Sequence, residues 1–142
     1  MTILLIVLMV VSAIFVISIV YSRQREKRLR GYSGLPREEF VKHFAAQGVP
    51  RSVSETVYDS FKQRVRSEEF KPSPEMSIED VFEQVSEDTE DDARHILEVL
   101  GIPAPPELIL EDWEGRKVRT VADLALWIDW VRRQHNSPLD RP

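Results

Sequence analysis

The residues of this chain that could do chemistry are mostly carboxylates. Nine of them, Glu75, Glu79, Asp80, Glu83, Glu87, Asp88, Glu90, Asp91 and Asp92, stand within eighteen positions that hold no Lys or Arg. Paired carboxylates can act as general acid and base, yet nothing in this spacing selects one residue for proton transfer from a solvated face. Two readings of the run stay open. Acidic side chains near a helix start complement its macrodipole and need no further role. A single sign concentrated this strongly also steers basic partners, which makes Glu83, Glu87, Asp88, Glu90, Asp91 and Asp92 candidate contacts for a basic protein surface.

Other reactive types are sparse. His43, His95 and His135 fall in different segments, without a second ligand at a spacing such as HExxH, so no metal is expected. The absence of cysteine excludes a disulfide framework, thiolate zinc, an Fe–S cluster and a cysteine nucleophile. No GxGxxG, GxxxxGK[ST] or GxSxG run occurs, and five glycines give little material for a phosphate-cradling loop. A hydrolase or transferase with its own active site is the least favoured class, and the chain is expected not to be an enzyme.

These groups must be positioned by elements that hydropathy and charge outline. Thr2 to Tyr21 reads TILLIVLMVVSAIFVISIVY, twenty residues without a charge. At about 1.5 Å per residue, such a helix spans roughly the 30 Å hydrocarbon core of a bilayer. A cleaved signal peptide would begin with basic residues and end at small ones, whereas this stretch has no basic start and runs into arginines. The expectation is a single uncleaved transmembrane anchor over residues 1–22. Residues 23–35 then form a collar and linker, in which Arg23, Arg25, Lys27, Arg28 and Arg30 face one acidic residue, Glu26. By the positive-inside rule this collar places the following domain in the cytoplasm of a single-pass cell-membrane protein, and it can hold anionic headgroups. The net charge of -5 is therefore an average of zero in the span, +4 over Arg23–Arg30 and -9 over Gly31–Pro142. An acidic domain lacks the basic surface that phosphate neutralisation requires, so no nucleic-acid partner is expected.

Residues 36–135 read as a set of helices, with a frayed tail over 136–142. Pro36 suits a first helical position, Phe40, Val41, Phe44 and Ala45 share a face, and Gly48 closes the segment, predicting a helix over about Pro36–Gln47. Four pairs have capping-box spacing: Ser52 with Glu55, Ser77 with Asp80, Thr89 with Asp92, and Thr120 with Asp123. The first opens a helix from Val53 to about Glu68 carrying Val53, Val57, Phe61 and Val65. The second and third open short helices that bury Ile78, Val81, Phe82 and Val85, then Ala93, Ile96, Leu97 and Leu100, with Gly101 and Pro103 as the stop. The fourth opens a last helix along Val121, Leu124, Ile128 and Val131. Glu114-Gly115 reads either as a hairpin turn or as a loop between helical turns. Leu126 and Trp130 point away from the last helix's core stripe. They either pack on the N-terminal helical segment or form an exposed aromatic anchor for a partner.

The order and separation of these features resemble the acyl carrier protein family over about residues 50–135. Asp88-Thr89-Glu90-Asp91 lies where that family has Asp-Ser-Leu-Asp, and Thr120-Val121-Ala122-Asp123-Leu124 is similar to the start of its last helix. The resemblance implies a small acyl-carrier-like helical bundle, so the expected fold is all-α, with the single N-terminal transmembrane helix read above followed by that bundle. It also puts Thr89 at the position of the serine that carries 4'-phosphopantetheine. With threonine there, Glu90 in place of an apolar residue and Ser86 in place of a glycine, the prosthetic group is not expected. Thr89 is then an N-cap whose hydroxyl accepts from the Asp92 amide. The resulting expectation is a membrane-anchored, non-enzymatic carrier-like domain that docks a basic protein surface or a membrane-associated enzyme through its acidic face. The alternatives are a divergent functional acyl carrier serving a membrane enzyme and an unrelated membrane-tethered assembly adaptor.

Overall fold

The computed structural model describes residues 2–65, 67–82, 86–110 and 113–136. Expectations that fall on Glu83, Val85 and residues 137–142 lie outside the described residues, as do those on the Asp80, Val81 and Ser86 side chains. The described regular elements are all helical, and pairing of extended backbone is limited to isolated bridges. The chain divides into two compact units, Met1–Gly31 and Tyr32–Pro142.

The first unit is one helix, α1 (Thr2–Arg30). Its apolar side chains from Ile3 to Tyr21 stand exposed around the whole circumference, and it is long and apolar enough to cross a membrane. Neither glycine nor proline interrupts it, and the basic collar continues the same helix as the apolar stretch up to Arg30.

The second unit begins with α2 (Arg37–Ala45) and α3 (Arg51–Arg64). Both open behind a proline, Pro36 and Pro50, whose restricted φ suits the residue before the first helical turn. Pro50 therefore occupies the cap position assigned above to Ser52, and α3 starts two residues earlier than expected. Its buried stripe is as expected, with Val53, Val57, Phe61 and Val65 in the core, although the helix ends at Arg64 and not near Glu68. Phe40 and Phe44 of α2 pack 4.9 Å apart by ring centroids, and Phe40 meets Tyr58 of α3 at 5.2 Å.

After α3 the chain forms the short α4 (Ile78–Phe82), then α5 (Ser86–Val99) and α6 (Val121–His135). α5 ends in a Schellman pattern, with the Ile102 amide donating to the Leu97 carbonyl and that of Gly101 to Glu98. α6 opens with the expected capping box: Thr120 Oγ1 accepts from the Asp123 amide, and Asp123 Oδ2 accepts from the Thr120 amide. Between α5 and α6, Trp113 and Arg116 exchange both backbone hydrogen bonds across Glu114-Gly115, whose φ values are 51° and 73°. Positive φ at both central residues is the hairpin geometry, so the turn reading of this pair is the right one.

The core is completed by a segment with no helical period. Phe70, Pro72, Ser73, Pro74, Met76 and Ile78 are all buried, and their backbone is matched by neighbours. The Leu35 amide donates to the Pro72 carbonyl, Ala122 to Pro74, Val121 to Met76, and Ile78 to Arg119. Gly34 permits this approach, since a Cβ there would fall 2.1 Å from the Lys71 carbonyl oxygen. Lys62 closes the turn before it, its ammonium donating to the carbonyls of Ser67, Glu68 and Phe70.

Leu97 and Ile128 are fully buried on α5 and α6. Leu97→Ala and Ile128→Ala should each cost about 2 to 5 kcal/mol in denaturant unfolding, and wild-type midpoints for both would refute this facing. Ser73 Oγ is buried and has no hydrogen-bond partner among the described residues. Ser73→Ala should therefore be neutral or stabilising by up to about 1 kcal/mol in the same assay; a loss of more than that would reveal a bond to the hydroxyl.

Candidate functional site

α5 divides into two faces. Thr89, Ala93, Ile96 and Leu97 are buried, at positions that repeat with helical period, while Glu87, Asp88 and Asp91 are exposed. Because the helix starts at Ser86, Thr89 lies inside it and is not the N-cap expected above. Its side chain is 9% exposed and takes the first place in the core stripe. The stripe Ala93, Ile96, Leu97 and Leu100 extends back by four residues to Thr89, a periodicity that competes with the capping-box spacing and prevails.

The six acidic candidates thus separate. Glu87, Asp88 and Asp91 face solvent in and near the first turn, where they also complement the helix dipole. Glu90 is half-buried. Asp92 turns toward α3 and pairs with the Arg64 guanidinium, so it serves the helix-to-helix contact. Glu83 lies outside the described residues.

Leu126 and Trp130 are both half-buried on α6. The hydrogen bond and the ring contact of Trp130 both lie on the hairpin turn. Its indole Nε1 donates to Glu114 Oε1 at 2.9 Å, and its ring lies 6.1 Å from that of Trp113, so the hairpin turn covers it. Arg116 on the same turn stands over the Trp113 ring at 5.8 Å. Held in this way, Trp130 ties α6 to the hairpin turn. Trp127 is buried and donates to the Ile109 carbonyl at 3.2 Å.

Two charged groupings escaped the sequence reading. Asp129 is 1% exposed on α6, and its carboxylate accepts from Arg132 Nε at 2.9 Å and from Arg133 Nε at 2.7 Å. The three- and four-residue spacing on one helix is a signal that could have found it. Between α2 and α3, Arg37 donates to both oxygens of Asp59 and to Glu55, while Arg51 bridges Glu55 and Glu38. The hydrogen bond to Asp59 raises the Arg37 guanidinium well above its ordinary value, and the bond to Glu38 raises Arg51. Both stay charged across the working pH range, so this network is a permanent clasp. No span of these contacts brings a nucleophile against a base.

The histidines are dispersed: His43, His95 and His135 are exposed on α2, α5 and α6. Among the described residues no group of His, Asp or Glu is arranged to hold a metal ion. Of the collar, Arg23, Lys27, Arg28 and Arg30 are exposed and Arg25 is half-buried on α1. No family model, curated protein or solved structure matches the chain.

Tyr58 adds a pH-dependent contact beside the clasp. Burial first, and the Asp59 charge second, push its phenol above the ordinary value, while the hydroxyl donates to the Leu35 carbonyl at 3.3 Å. A neutral phenol favoured by folding contributes stability that is present below the unfolded value of about 10 and lost as pH rises through the folded value. The difference between alkaline absorbance titrations of wild type and Tyr58→Phe should show a midpoint above about 10, and one at or below it would contradict this contact.

Proposed function

We propose that this protein is a single-pass membrane-anchored docking protein, non-enzymatic, with its acidic helical domain on the cytoplasmic side. The observation that carries this reading is the division of α5, whose inner face belongs to the core and whose exposed first turns present Glu87, Asp88 and Asp91. A one-sign surface on a rigid helix gives orientation and encounter rate to a basic partner. α1 supports the anchor through its length and composition, and the collar beside it supports the orientation. The partner is a basic protein surface or a membrane-associated enzyme that meets the domain near the bilayer.

The bundle is proposed as acyl-carrier-like in helix order, without the prosthetic arm. Burial of Thr89 in the core face of α5 supports that version over a working carrier, because a transferase must reach the hydroxyl it modifies. The intact mass should therefore stay unshifted after co-expression with a phosphopantetheinyl transferase. A mass increase abolished by Thr89→Ala would revive the carrier.

Docking is tested by capture from membranes with the full chain and with the combined Glu87→Gln, Asp88→Asn and Asp91→Asn variant. A protein retained by wild type at low salt should be lost at high salt and lost with the variant. Equal retention by both chains would remove the acidic face from the proposal.

A further inference from the structure

We infer that the basic collar of α1 selects anionic phospholipid headgroups from the bilayer around it. This rests on the anchor reading above and deepens it by naming a ligand class. The first step is continuity. α1 runs unbroken from Thr2 to Arg30, about 43 Å at 1.5 Å per residue, against roughly 30 Å of hydrocarbon. With Thr2 to Tyr21 filling the hydrocarbon, Ser22 to Arg30 rise as stiff helix for about 13 Å through the headgroup layer and just beyond it.

The second step is direction. Side chains of an α-helix lean toward its N-terminus, which for α1 is the membrane side. Arg23 and Arg25 stand about 3 to 6 Å past Tyr21, at phosphate depth, given the rise per residue. Lys27 and Arg30 are farther out, but their long side chains lean back toward the same layer. The tilt moves all five cations the same way, so they stay spread over about 10 Å of depth from Arg23 to Arg30, within the headgroup layer that their long side chains reach.

The third step is azimuth, and it decides the kind of headgroup. At about 100° per residue, Arg23, Lys27 and Arg30 fall within about 60° of one another, while Arg25 and Arg28 lie on the opposite side. The collar's one carboxylate, Glu26, stands 3.9 Å from Arg30. Cations on two opposed faces cannot converge on one polyvalent headgroup. They form a ring that takes several monovalent phosphodiesters, each by charge, with little regard to the rest of the head. Each Lys or Arg near an anionic surface adds to the attraction, enough for a several-fold preference once a few act together.

The test uses the full chain reconstituted in phosphatidylcholine vesicles that contain a trace of spin-labelled lipid. Electron paramagnetic resonance reads the fraction of label slowed at the protein surface. Spin-labelled phosphatidylglycerol and phosphatidylserine should both be enriched several-fold over phosphatidylcholine, to a similar degree, and less so at high salt. In the combined Arg23→Gln, Arg25→Gln, Lys27→Gln, Arg28→Gln and Arg30→Gln variant the three labels should approach parity, with tryptophan fluorescence unchanged as a check on the second unit. Parity in wild type, or an enrichment that the variant retains, overturns the inference. If no label of any kind is slowed by either chain, the anchor reading itself fails and the collar proposal with it.

Discussion

The fold of the second unit depends on how the N-terminus of α6 is satisfied. A helix start leaves four amides without intrahelical partners, and burying them unpaired is costly. Here each has an acceptor. The Thr120 amide donates to Asp123 Oδ2, Val121 to the Met76 carbonyl, Ala122 to Pro74 and Asp123 to Thr120 Oγ1, and Leu124 then begins the helical ladder on the Thr120 carbonyl. Two of these acceptors come from a loop nearly fifty residues away in sequence. The helix start and the proline-rich loop are therefore one structure, and neither can be buried without the other. Through the same loop, Leu35 is attached to Pro72, so the approach to α2 is tied in as well. Prolines fit this arrangement because the loop supplies carbonyls, and the missing amides of Pro72 and Pro74 need no partner.

That dependence explains what could and could not be read in the residues. The Thr120 box, the stripe of α3, the Gly101 stop and the Glu114-Gly115 turn are local, each decided within a few residues of chain. The burial of residues 70–78 is not local. A stretch with four polar or charged residues and two prolines reads as a surface connection, and only the amides of α6 and Leu35 make its interior position affordable. Trp130 is a similar case, since the turn that covers it is formed by Trp113 and Glu114, sixteen and more residues before it. For Thr89 the error had another source. Cap spacing and core periodicity both include that residue, and a single hydroxyl cannot satisfy both. The side whose neighbours bury more apolar surface wins, because burial of several side chains outweighs one cap of about 1 kcal/mol.

Charge in this domain is sorted by the same packing. Asp59 and Glu55 are held by Arg37, Asp92 by Arg64, and Asp129 by Arg132 and Arg133, and these pairs join or brace the helices. Exposed pairs of this kind add little to stability, while the buried Asp129 would be costly without its arginines. The acidic residues outside such pairs, Glu87, Asp88 and Asp91, are the ones left to the proposed docking face. Composition alone merges the two sets into a net charge, whereas the geometry separates Asp92 from Asp91 although they are adjacent.

The position of Thr89 bears on the prosthetic arm through electrostatics as well as access. A phosphodiester on its Oγ1 would carry a negative charge into the face that packs Ala93, Ile96 and Leu97, where no water solvates it. Otherwise the first turn of α5 would have to unwind and expose Thr89, giving up its place in the buried stripe of that helix. Either route draws on a total stability of about 5 to 15 kcal/mol for a domain of this size.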